Sequence, residues 1–319
     1  MASGERTSPA GNKMRKIKRR LDLFMVLTWV ASIAAVVTLL WILESIVTPA
    51  WPVIQHTGLS FFASAVWDVN RDRYGALPFL IGTAVSSLIA LIIALPLGLF
   101  IALFLSENFL PLGVRHAIRF VVELLAAIPS VVYGLWGIAV VIPLVQHFGG
   151  YLSDYLGFIP LFSGPATGNS MLTASLVLAI MVLPTITAIS RTALVAVPPT
   201  LREGSYAVGA TRWETIFRVL LPTAAPGIVA ATILAFGRAM GETMAVAMLI
   251  GNSPRLSWSL LSPAGTLAGL LANQFGEAQG LQISALMYAA LALVVLTLFV
   301  NMAGEAVLRR AEKATAGIR

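Results

Sequence analysis

Six apolar stretches constrain this chain more than any other feature: about 21–47, 79–105, 118–146, 171–193, 227–250 and 284–307. A bilayer core takes roughly 20 apolar residues in helical form, and in hydrocarbon only a helix or a closed barrel satisfies its own backbone. The expected fold is an all-α integral membrane protein with six transmembrane helices. Composition agrees, with 58% of the 319 residues hydrophobic and 11% charged, against about 25% charged in soluble domains. The first apolar run, Leu23 to Leu43, is too long for the core of a cleaved signal and reads as a retained helix. Pro96, Pro129, Pro143 and Pro184 fall inside spans and predict kinks.

Charge placement predicts orientation. Six of the positive charges lie in the run from Lys13 to Arg20, directly before the first apolar stretch. Such a run sets membrane topology more often than it binds nucleic acid, and no nucleic-acid partner is expected. With the N-terminus inside, 17 of the 21 Lys and Arg residues fall in inside segments, only Arg71, Arg73 and Arg255 fall outside, and Arg238 is in a span. Both termini are therefore expected in the cytoplasm. The resulting plan is a basic tail over 1–20, a transmembrane domain over 21–310 with a cytoplasmic loop at 194–226, and a tail over 311–319. The first dozen residues, rich in Ser, Gly and Pro, are expected to be disordered. The outside loops carry Trp51, Phe61, Phe62, Trp67, Tyr74, Tyr151, Tyr155 and Trp258, which read as an aromatic interfacial belt rather than a binding site.

The chain has no cysteine, which excludes disulfides and thiolate chemistry, and its three histidines lie far apart, at no ligand spacing. No nucleophile or metal cluster marks it as a membrane enzyme. No phosphate-binding Gly-x-x-x-x-Gly-Lys-Ser/Thr occurs, and no lysine falls between Lys18 and Lys313. An ATP-driven process would therefore need a separate nucleotide-binding subunit, and no cofactor is expected in this chain.

The longest inside loop is patterned. Thr200 precedes Glu203 and Thr211 precedes Glu214, each at the spacing of a capping box. Gly209 lies between, where a left-handed helix end favours glycine. The loop reads as helix, glycine turn, helix. The spacing of Glu203, Gly209, Val219, Leu221 and Pro222 resembles the EAA loop of ABC importer permeases, with Gly204 and Ser205 where that family has two alanines and Val219 where it has isoleucine. The resemblance implies a type I importer permease fold and a loop that docks on an ATPase subunit through Glu203, Gly204, Ser205, Gly209, Leu221 and Pro222. Glu203 is a helix cap, a docking contact, or both.

Three further segments are similar to the phosphate-specific permeases of that superfamily, on the PstC rather than the PstA side of a pair of related subunits. They are Tyr74-Gly-Ala-Leu-Pro-Phe-Leu-Ile-Gly-Thr83, Glu123-Leu-Leu-Ala-Ala-Ile-Pro-Ser-Val-Val-Tyr-Gly-Leu-Trp-Gly137 and Gly237-Arg-Ala-Met-Gly-Glu-Thr-Met-Ala-Val246. The resemblance implies an inner-membrane phosphate permease with a second, PstA-like permease subunit and two PstB-like ATPase subunits that bind ATP and magnesium. It also implies a PstS-like phosphate-binding protein outside. A permease for another oxyanion and an ion-coupled secondary transporter are the alternatives; the docking loop argues against the second.

If the fifth helix spans 227–250, Arg238 sits at its centre and Glu242 follows one turn later on the same face. A charge at that depth costs roughly 2.5–3.5 kcal/mol. Either the two form a structural ion pair, or Arg238 faces a polar path and meets an anion while Glu242 competes for it. A guanidinium suits phosphate because it stays charged and offers paired donors. In the phosphate permeases, an Arg and a Glu at matching positions are implicated in translocation. Gly237 and Gly241 read as a close-packing pair. Glu123 lines the path or pairs with Arg119 or Arg115 near the interface. Ser130 and Tyr133, beside Pro129, line the path or bond between helices.

Overall fold

The computed structural model describes residues 9–107 and 109–316; the side chains of 9–23 and 314–316 lie outside that description. The principal helices are α1 Pro9–Thr57, α2 Leu77–Ser106, α3 Leu112–Ala127, α4 Ser130–Leu156 and α5 Met171–Val195. They continue with α6 Pro199–Ala207, α7 Arg212–Gly241, α8 Met244–Leu249, α9 Leu267–Gln274 and α10 Leu281–Ala316. Six are long and apolar enough to cross a membrane: Phe24–Thr57, Leu77–Ser106, Ser130–Leu156, Met171–Val195, Arg212–Gly241 and Leu281–Lys313. Among the described residues there is no strand, only one isolated bridge between Asp68 and Arg73.

The polar side chains inside these helices bond to their own backbone, which lets them sit in an apolar core. In α2, Thr83 donates to the Phe79 carbonyl and Ser87 to the Thr83 carbonyl, both at 2.7 Å. The central core joins α2, α4, α5, α7 and α8 through Ala90, Ala94, Val145, Val177, Val182, Ile186, Ala235 and Leu249. The broadest interface lies between α2 and α5. There Gly98 lets α5 approach: a Cβ at Gly98 would stand 2.9 Å from Ile186, and the Thr187 hydroxyl donates to the Gly98 carbonyl at 3.3 Å. α1 rests on α10, burying Ala50 and Val53 near its far end, while Phe24 to Leu43 is apolar and exposed all round. A helix apolar on every side belongs in lipid or protein.

Several sequence expectations are corrected. The expected third span, 118–146, is two helices: α3 ends at Ala127, Ile128 and Pro129 are extended, and α4 begins at Ser130. Proline disfavours helical backbone at the residue before it, so Ile128 breaks the helix. The crossing is displaced to Ser130–Leu156. The expected fifth helix, 227–250, begins earlier and stops at Gly241, with Glu242 extended at φ −68° and ψ 125°. By contrast α2 and α5 run through Pro96 and Pro184. Two π-helical turns, Gly137–Val141 and Ile216–Leu220, lie just before Pro143 and Pro222. A wider turn gives room to the carbonyl that a proline ring would otherwise strike.

Of the aromatic residues before α2, Trp51 is exposed, whereas Phe61, Phe62, Trp67 and Tyr74 pack inward. Phe61 is fully buried and stacks on Tyr288 with ring centroids 4.4 Å apart, and Trp67 meets Tyr74 and Phe79 edge-on. Burial and the Asp72 carboxylate, to which it donates at 3.2 Å, push the Tyr74 hydroxyl up to about 12. Tyr155 and Trp258 are exposed as expected. At the N-terminus helical backbone starts at Pro9, so the basic run from Lys13 is helical; the disorder expected for 1–8 lies outside the described residues. At the other end α10 runs through Ala316, and the rest of the expected tail, 317–319, is likewise outside them.

Candidate translocation path and docking loop

Arg238 occupies the last turn of α7. The carbonyls at a helix C-terminus lack intrahelical donors and favour a cation nearby. Its Nη1 donates to Thr185 Oγ1 at 3.2 Å. Thr185 fixes the depth, because it lies about ten residues before the end of α5 at Val195, or ~15 Å at 1.5 Å per residue. That is half of a ~30 Å hydrocarbon core. Arg238 is thus level with the middle of α5, and it lies near the end of its own helix rather than at the centre.

Glu242 is not its partner. No salt bridge joins the two among the described residues, because the helix ends at Gly241 and Glu242 leaves the i,i+4 geometry. The structural ion pair falls with it. Arg238 is exposed on the surface of this chain, and Glu242 is half-buried beside it. Thr185 is the one hydrogen-bond partner of the guanidinium among the described residues, which leaves most of its five donors free. The close-packing pair divides: a Cβ at Gly237 would stand 3.3 Å from Asn301 Oδ1 of α10, whereas Gly241 has nothing within 4 Å.

Tyr133 is buried, close enough to Arg238 for the two to interact electrostatically. Its hydroxyl donates to the Leu125 carbonyl at 2.8 Å, across the break at Pro129, and so satisfies a carbonyl that the interrupted helix frees. Ser130 is half-buried at the start of α4. Glu123 is elsewhere: it accepts from Arg119 Nε at 2.7 Å on an exposed face of α3, the interfacial pairing foreseen for it. α4 lies against α8, with Gly134 at Ala245 and Met248 and Gly137 at Leu249. The two interrupted helices are therefore neighbours. Sequence reading missed Thr185 and Asn301; the signal for the first was a hydroxyl beside Pro184 in a span, and for the second a lone amide in a long apolar run.

The loop at 194–226 is built as two helices around a turn. Gly209 has φ +83°, between α6 and α7. The Thr211–Glu214 capping box forms: Thr211 N donates to Glu214 Oε2 at 2.9 Å and Glu214 N to Thr211 Oγ1 at 3.3 Å. The Thr200–Glu203 box does not. α6 starts at Pro199, which places Thr200 inside the helix instead of at its cap. Glu203 is exposed, and the capping role is removed from it. Gly204 is open, with nothing within 4 Å of a Cβ there. Ser205 Oγ lies 2.9 Å from Thr215 Oγ1, bracing the two helices. Leu220 is buried with Leu194, Val197 and Ile216 against Ala102 and Leu103, and Leu221 packs beside them. Pro222 sits just past the start of the regular part of α7.

Comparison with known proteins agrees with this fold. The profile of the family described as binding-protein-dependent transport system inner membrane component matches residues 94–315. Phosphate transport system permease protein PstC of Xylella fastidiosa (strain Temecula1) is 40% identical over 314 residues, covering 96% of this chain and 95% of that one. PstC of Haemophilus influenzae is 43% identical over 284 residues, covering 88% and 90%. A probable PstC of Methanocaldococcus jannaschii is 36% identical, covering 93% and 96%. Among solved structures, a chain of a bacterial alginate ABC transporter aligns with TM-score 0.59 at 17% identity, over 93% of this chain and 96% of that one. A chain of the MetNI methionine ABC transporter aligns with TM-score 0.52 at 23% identity, over 74% and 94%. At these identities the structures speak for the fold: an ABC importer permease. The chain belongs to the binding-protein-dependent transport system inner membrane component family, as a multi-pass membrane protein whose relatives include the PstC phosphate transport permeases.

Proposed function

We propose that this chain is a permease subunit of an ATP-driven importer that carries inorganic phosphate across the bacterial inner membrane. Both termini are cytoplasmic, on the side favoured by the Lys and Arg bias. The working complex contains a second homologous permease subunit and two ATPase subunits that bind ATP and magnesium. A soluble phosphate-binding protein delivers substrate on the outer face. The observation that carries the reading is Arg238, level with the middle of α5, bonded among the described residues to Thr185 alone, and open on the protein surface.

The mechanism follows from that placement. The second permease subunit covers the open face and closes a polar cavity around the guanidinium. Phosphate arriving there takes up the free donors as paired charge-assisted hydrogen bonds. The nearby Glu242 carboxylate repels the anion and keeps the site from becoming a trap. Tyr133 and Ser130 line the adjoining break in the α3–α4 crossing. On the cytoplasmic face the exposed Glu203, with Gly204 and Ser205, docks on an ATPase subunit; Gly209 sets the turn, and Leu221 and Pro222 join the loop to α7. ATP binding moves the loop and alternates access to Arg238.

Uptake of labelled phosphate by cells carrying the complete set of subunits tests this reading. Uptake is expected to persist under a hundredfold excess of sulfate or molybdate, as a test condition, and to stop when ATP is depleted. Displacement by sulfate would assign another oxyanion. Collapse with a protonophore at constant ATP would assign ion coupling.

A further inference from the structure

The structure places one ion pair between the docking loop and the membrane helices, and nothing in the EAA pattern accounts for it. Arg202, on α6 next to Glu203, has Nη2 3.2 Å from Glu107 Oε1 and donates from the same nitrogen to the Leu194 carbonyl at 2.9 Å. Glu107 is the residue that ends α2, and Leu194 lies in the last turn of α5. A single guanidinium thus grips the ends of both helices from the loop. The pair is sheltered, with side-chain exposures of 23% for Arg202 and 15% for Glu107. A carboxylate at a helix C-terminus is disfavoured by the free carbonyls there, so Glu107 depends on a cation brought from outside its own helix.

The joint is not a rigid bolt. Among the described residues Glu107 Oε1 and Arg202 Nε are buried without a hydrogen-bond partner, so the approach at 3.2 Å is an oblique one. Beside it lies a cavity of about 230 Å³ lined by Ser106, Glu107, Phe109, Arg202, Tyr206 and Arg212. The start of α7 holds the same segment from the other side: the Phe109 ring stacks on Trp213 at 5.4 Å, and the Arg212 guanidinium lies 5.6 Å from its centroid. An under-bonded ion pair next to an open, polar space has room to change geometry without unpacking the core.

From the joint, contacts lead to the proposed path. α2 packs on α5 across Gly98, Ile186 and Thr187, and the neighbouring Thr185 holds Arg238. We propose that Glu107 and Arg202 are positioning residues for transport: through this pair the docking loop moves α2 and α5 as a unit and so resets the environment of Arg238. The proposal rests on the docking role given to the loop above. It assigns Arg202 to force transfer and leaves ATPase binding to Glu203.

The test uses the complete transporter in proteoliposomes with its phosphate-binding protein, and measures phosphate uptake and ATP hydrolysis on one preparation. Glu107→Gln and Arg202→Gln are expected to keep the ATPase subunits through purification and to go on hydrolysing ATP. The ATP spent per phosphate should rise about tenfold. The exchange of charges, Glu107→Arg with Arg202→Glu, should bring that ratio back toward the wild-type value, which a merely structural contact would not require. Glu107→Asp keeps the charge and shortens the reach, so it serves where the neutral variants fail to assemble; its ratio should also rise. An unchanged ratio in Glu107→Asp overturns the proposal, as does an assembled charge exchange that stays uncoupled. Glu203→Lys separates the two readings. If it leaves the ATPase bound, the docking role fails; if it strips the ATPase while the Glu107 variants stay coupled, the joint alone fails.

Discussion

Arg238 sits where a charge is costly, and three local features reduce that cost: the carbonyls ending α7, the Thr185 hydroxyl at 3.2 Å, and a surface left open on this chain. Of these, Thr185 is the easiest to remove without changing shape. Thr185→Val should retain the ATPase subunits and raise the KM for phosphate uptake about tenfold, or ~1.4 kcal/mol, near the low end of the about 1.5–3 kcal/mol of a hydrogen bond to a charged group. A KM equal to wild type would show that the hydroxyl does not position the guanidinium. The residue types were legible from sequence. The relation between Arg238 and Glu242 was not. The i,i+4 rule presumes a continuous helix, and the chain leaves helical geometry at Glu242. Thr185 escaped notice because its role depends on which helix face α7 packs against, a tertiary fact.

At the scale of elements, the loop at 194–226 was the best predicted part. The Gly209 turn and the Thr211–Glu214 box are local chemistry, written in adjacent residues. The Thr200–Glu203 box failed for an equally local reason, the pair Pro198 and Pro199, which starts the helix two residues early. Gly209→Val tests the turn. At φ +83° a β-branched side chain costs roughly 1–2 kcal/mol, and nothing within 4 Å of its Cβ adds a clash. The variant should assemble its membrane helices but lose ATPase subunits during purification. Retention equal to wild type would mean that the turn geometry is not needed for docking. The broken helices were less legible. Apolar residues flank both breaks, Leu124–Ile128 before Pro129 and Met244–Ile250 after Glu242, so a window averaged over roughly 20 residues spans the ends that the fold imposes. Pro129 was a visible warning, yet Pro96 and Pro184 gave the same warning and their helices continue. The difference lies in packing around each proline, which the sequence does not display.

Over the whole molecule, the open face around Arg238, Glu242 and Gly241 and the exposed Glu203 describe a subunit, not a finished transporter. The fold class and the count of six candidate spans followed from hydrophobicity alone, because bilayer thickness fixes helix length. The grouping of outer aromatics did not: Phe61 and Trp67 pack into a core with Tyr288 and Phe79, since the segment before α2 folds back over α10. The central claim is that phosphate meets Arg238 on its way through. The most direct measurement is phosphate uptake by cells carrying the complete complex with Arg238→Gln, scored beside ATPase co-purification from the same cells. Removing the charge while keeping polarity should abolish uptake and leave the ATPase bound; normal phosphate uptake by that variant, with the complex intact, would contradict the account.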